Sequence, residues 1–70
     1  MKAIIRVMFT DGSFGYFQNE TSITSDKSKA LVCDLEYAKG LSRGINFAIN
    51  FYGDEFTKES RVEIINGKED

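Results

Sequence analysis

Seventy residues with eleven acidic and nine basic side chains, one cysteine and no histidine read as one small, weakly acidic domain, residues 1–70. A lone cysteine excludes an internal disulfide, and the lack of histidine removes the ordinary zinc and copper sites and the usual base for a nucleophile. One core of this size only just offsets chain entropy, so a partner subunit is the remaining common support.

Residues 2–10, KAIIRVMFT, are rich in β-branched and aromatic types, and Asp11-Gly12 follows as a hairpin turn signal. A two-residue turn sets Phe9 opposite Phe14, Met8 opposite Gly15, Val7 opposite Tyr16 and Arg6 opposite Phe17. In that register Ile5, Val7, Phe9, Phe14 and Tyr16 share the core face, while Ile4, Arg6, Met8 and Phe17 share the other. Residues 19–29, NETSITSDKSK, read as a polar loop with one helical turn begun by Ser25 or Asp26. ALVC, residues 30–33, reads as a short third strand, and Asp34 stands where a helix cap is needed.

The helix is expected over residues 35–51. Its wheel puts Tyr37, Ala38, Leu41, Ile45, Ala48, Ile49 and Tyr52 on a core stripe and Glu36, Lys39, Arg43, Asn46 and Asn50 toward water. A third sector holds Gly40, Gly44, Phe47 and Phe51. Glycine costs about 1 kcal/mol relative to alanine inside a helix, so a close neighbour is expected there. Gly53 stops the helix, and residues 52–60, YGDEFTKES, read as a charged surface loop. RVEIIN, residues 61–66, is the last strand, with Val62 and Ile64 on one face and Glu63 and Ile65 on the other; GKED is a tail. The order β-β-β-α-β predicts an α+β fold: a small antiparallel sheet with one helix packed on one face.

The acidity is concentrated late: residues 1–52 carry six basic against five acidic residues, and residues 53–70 three against six. An acidic tail is ordinarily solvated. The first residues lack the apolar run and cleavage-like end of a signal peptide, no run approaches the roughly twenty residues of a membrane span, and a lone thiol suits a reducing compartment. A cytoplasmic protein that is not membrane-bound is expected.

Little in the chain supports catalysis. Cys33 has no histidine to deprotonate it and reads as a strand thiol. The acidic residues of GDEFTKE match no EF-hand spacing, and DGSFG and GLSRG lack the spacing and context of a phosphate loop. No enzyme, metal or cofactor is expected. The uncovered sheet face, with Ile4, Arg6, Met8 and Phe17, reads as a protein-binding patch, and Phe47 and Phe51 as a second candidate. The alternative is a nucleic-acid or nucleotide-messenger binder using Arg6, Phe17, Lys39 and Arg43, because a cation beside exposed aromatics resembles a stacking platform for single strands.

At SDKSKALVCDLEYAKGLSRGIN, residues 25–46, the chain resembles short bacteriophage-encoded proteins of Gram-positive hosts. The shared features are an N-terminal hairpin, a KA-x-V strand, an acidic helix start with EYAK, and a closing strand. The two helix glycines depart from the alanine-rich helices of such proteins. The resemblance carries over no site residue. It implies a small inhibitor, acting in the host cytoplasm, that occludes a host enzyme or a defence protein. Self-association is expected too, most simply as a homodimer; a structural or assembly role in a virion is a third reading.

Overall fold

The computed structural model describes residues 1–65. Asn66 of the expected last strand and the GKED tail lie outside the described residues. Strands β1 (Lys2–Phe9), β2 (Phe14–Asn19) and β3 (Ser22–Thr24) are followed by a 3-10 turn (Lys27–Lys29), β4 (Cys33–Asp34), helix α1 (Leu35–Tyr52) and β5 (Thr57–Ile65). All pairings are antiparallel, and one helix packs on one face of the sheet, so the fold is α+β as expected.

β1 is the organising strand. Along one edge it pairs with β5 over its whole length. The opposite edge is shared, with β4 beside Lys2 and Ala3 and β2 beside Arg6 to Met8. β3 extends the sheet beyond β2, within the stretch expected to be loop. The extra strand forms because Asn19 turns the chain: its side-chain oxygen accepts from the Thr21 amide and hydroxyl. In the same stretch Asp26 caps the 3-10 turn by accepting from the Ser28 amide. Residues 30–32 leave the sheet, so the expected third strand is reduced to Cys33 and Asp34. The last strand is longer than expected, because residues 57–60 join it.

The hairpin register differs from expectation by one residue. Arg6 faces Tyr16, Val7 faces Gly15 and Met8 faces Phe14. The turn is longer than two residues: the Phe9 carbonyl accepts from the Gly12 amide, Gly12 has φ +94°, and the Phe9 amide then donates to the Ser13 carbonyl. This is a type I turn followed by a glycine bulge, a geometry that Asp-Gly serves as well as the two-residue turn. Asp11 fixes it by accepting from both the amide and the hydroxyl of Ser13.

Because side chains alternate, a slip of one residue exchanges the two faces of β2. Phe17 and Gly15 therefore turn toward the helix, while Phe14 and Tyr16 lie on the outer face. The main core consists of Ala3, Ile5, Val7 and Ala38, with Phe9, Phe17, Leu35, Leu41, Ile45 and Val62 packed around it. Val62 on this face, with Glu63 and Ile65 opposite, follows the alternation read for β5.

Two expectations for α1 change. Tyr37 and Tyr52, placed on the core stripe, are 61% and 79% exposed. Asn46, placed toward water, is half-buried: its side-chain amide donates to the Ser60 carbonyl at 3.1 Å and its oxygen accepts from the Ser60 amide at 2.6 Å. Ser60 sits opposite Val7 with its backbone groups turned away from β1, so Asn46 stands in for a neighbouring strand at the edge of β5. The Ser60 hydroxyl lies 2.7 Å from that of Ser42, and both serines are buried. Asp34 occupies the N-cap position, but its carboxylate accepts from Lys2 at 2.9 Å instead of capping α1.

Candidate interaction surface

The outer sheet face is not an open apolar patch. Ile4 is 1% exposed, and with Tyr16 and Ala30 it forms a second small core against which Ile65 packs. The segment around the 3-10 turn covers it. That segment is held by the Leu31 amide, which donates to the Phe17 carbonyl, and by Lys27, whose ammonium lies 2.7 Å from Glu63. Glu63 also accepts from Arg6 at 2.9 Å. The hydrogen bond from Lys27 is the main cause that holds the Glu63 carboxyl below its ordinary range; partial burial opposes it and Arg6 adds to it.

Arg6 is thereby committed to the fold. Its guanidinium pairs with Glu63 and lies 4.8 Å from the centre of the Phe14 ring, which in turn meets Tyr16 edge-on. Met8 is half-buried and lines a shallow hollow with Arg6, Arg61 and Glu63. Directly across the pairing, Arg6 faces Arg61; Glu63 and Glu59 neutralise the two.

The nucleic-acid constellation does not assemble. Phe17 lies on the helix side of the sheet and Arg6 on the outer side. Lys39 and Arg43 are exposed on α1, where Lys39 lies 3.5 Å from Glu36. Phe17, placed in the core by the register, also lines a groove of about 500 Å³ between the C-terminal half of α1 and the β2–β3 pair, with Ile23, Ile45, Ile49 and Tyr52. The groove exists because α1 packs on β5 and β1 and leaves the helix side of β2 and β3 uncovered. No residue pattern announces it, because β3 lies in a polar stretch.

Among the described regular elements, α1 carries the most exposed large apolar side chains, and two of them lie on its outward side. Phe47 and Phe51 are each 69% exposed and stack on one another, with ring centres 5.7 Å apart and planes 15° apart. Phe51 also meets Tyr52 edge-on at 5.0 Å. One and two turns back, Gly44 and Gly40 have nothing within 4 Å of where a Cβ would stand. The expected close neighbour of these glycines is thus absent from the described residues. The stripe lies opposite Ala38 and Ile45, which face the core.

The remaining chemical candidates are structural. The Cys33 thiol is half-buried near the Ala3 carbonyl, and burial followed by the Asp34 charge pushes it up, which keeps it protonated near neutrality. Asp54, in the acidic loop, accepts from the Phe56 and Thr57 amides and so shapes the turn into β5. Among the described residues no group of three or more His, Cys, Asp or Glu side chains is gathered as a metal would need, and no helix is long and apolar enough to cross a membrane. No protein-family model, curated protein or solved structure matches the chain.

Proposed function

We propose that this chain is a protein-binding domain that acts by occluding a surface of its partner, and that it does so through the outward side of α1. The observation that carries this reading is the stacked Phe47–Phe51 pair, 69% exposed at both residues on the side of the helix opposite the core. As an i,i+4 pair the two rings add only about 0.2–0.5 kcal/mol to the helix itself. Aromatic anchors near the centre of an interface, in contrast, carry much of its binding energy. Glu36, Lys39 and Arg43 border the stripe as a polar rim. Cys33 is held protonated and Arg6 is neutralised by Glu63, which favours binding over catalysis or phosphate recognition.

The resemblance to phage-encoded proteins makes a Gram-positive bacterial lysate the place to look for the partner. The immobilised chain should retain a host protein in a manner little affected by salt, and Phe47→Ser with Phe51→Ser should abolish retention while the circular dichroism spectrum is unchanged. Retention that survives both substitutions rules out this face. Binding of oligonucleotides that weakens steeply with ionic strength supports the nucleic-acid alternative instead.

A further inference from the structure

We infer that the resting occupant of the α1 face is a second copy of the same chain, packed helix to helix about a two-fold axis. This rests on the reading of that face as an interface and specifies what covers it when no other partner is present.

The inference follows from spacing. A two-fold interface must be self-complementary: if residue i meets residue j, then j meets i. On α1 the two open glycine sites and the two exposed phenylalanines are each separated by one turn, in the order Gly40, Gly44, Phe47, Phe51. Two such helices laid antiparallel place Phe47 of each copy over Gly44 of the other, and Phe51 over Gly40. Every projecting ring then meets a position with no side chain, and every bare position receives a ring. The same face on an unrelated partner would be under no such constraint of order.

Area is consistent with a dimer. Phe47, Phe51 and Tyr37 are 69%, 69% and 61% exposed. At about 150–250 Å² per aromatic side chain they offer roughly 400 Å² per copy, or about 800 Å² for the pair. A specific interface needs more than about 1,000 Å² in total, so the dimer also requires burial of the glycine backbone and of the stems of Lys39 and Arg43.

The test is the oligomeric state of the full chain by sedimentation velocity across concentration, for the wild type, Gly44→Leu and Phe47→Ser. A dimer is expected whose dissociation constant rises by at least about tenfold in either variant. Leucine at position 44 fills the socket but favours helix, and a Cβ there has nothing within 4 Å in the monomer, so loss of the dimer with helicity retained is not unfolding. Helicity measured on the same samples confirms this. A chain that is monomeric at every soluble concentration, or a dimer indifferent to both substitutions, overturns the inference. A monomer that still retains a lysate protein through Phe47 removes the dimer while leaving the protein-binding reading in place; a Gly44-dependent dimer that retains nothing does the reverse.

Discussion

Glycines within the regular elements have opposite duties in this fold. A Cβ on Gly15 would stand 2.7 Å from Ile23 Cγ2 and 3.2 Å from the Thr24 carbonyl oxygen, so β2 can approach β3 only with glycine there. Gly15→Ala should therefore destabilise the protein by about 1–3 kcal/mol, the usual range for overpacking. At Gly40 and Gly44 the single chain has open space, and at concentrations where it is monomeric alanine should stabilise the fold by about 0.5–1 kcal/mol at each position. Chemical denaturation of the three single variants checks both signs. The helical wheel identified Gly40 and Gly44 as costly to helix stability but could not say whether the neighbour lay inside or outside the molecule. Asn46 was misread for a similar reason. Its partner is the backbone of Ser60, and a backbone edge leaves no residue type to recognise.

Among the elements, α1 was the most legible, expected over residues 35–51 and found as Leu35–Tyr52; in β5 the alternation of Val62, Glu63, Ile64 and Ile65 was legible, but residues 57–60 read as loop. The hairpin was legible in kind but not in register. Asp11-Gly12 serves a two-residue or a three-residue turn, and the bonds that Ser13 donates to the Asp11 carboxylate, which select the longer one, are local. The same uncertainty placed Phe17 on the outer face and Phe14 and Tyr16 on the core face. Where the elements meet on the outer face, Glu63 ties β5 to Arg6 of β1 and to Lys27 of the 3-10 turn. Its carboxyl titrates below its ordinary value of 4.5, chiefly through the Lys27 bond, while the Lys27 ammonium is raised above 10.5, chiefly through Glu63. A carboxyl lowered by folding stabilises the native state above its unfolded pKa and loses that contribution as pH falls through the folded one. Wild type should exceed Glu63→Gln in stability at pH 7, and the gap should close as pH falls from about 4.5. Unfolding curves of the two proteins from pH 7 to pH 3 check it. At the alkaline end the Lys27 contribution is fully present below 10.5 and fades as pH rises through its folded value.

For the molecule as a whole, the α+β class and the single helix on one face could be read from the order of elements, whereas the position of the exposed surface could not. An outer sheet face with no second helix looked uncovered, yet a segment that read as loop lies across it and buries Ile4. The apolar excess has thereby moved from the sheet to the outward side of α1 and, in smaller measure, to the groove beside β2 and β3. Phe17 distinguishes core from interface. It packs against Ile5 and its neighbours, so Phe17→Ala should cost about 2 kcal/mol of stability, less than for a fully buried ring. At concentrations where the chain is monomeric, Phe47→Ala should leave the melting temperature within a few degrees of wild type. Thermal melts of the two variants side by side make the comparison, and equal losses would place both rings in the same layer.

Finally, the central strand is made before every strand it pairs with. β1 precedes them in the chain, but the partner along its whole length is β5, which is synthesised only after the turn, the short strands and the helix between them. Pairings so distant in sequence close slowly, and an apolar strand left waiting is open to wrong partners. Until β5 arrives, Ala3, Ile5 and Val7 can be sheltered only by the hairpin and by α1. The nascent chain therefore passes through a stage in which its best-buried residues in the final fold are the ones most in need of protection.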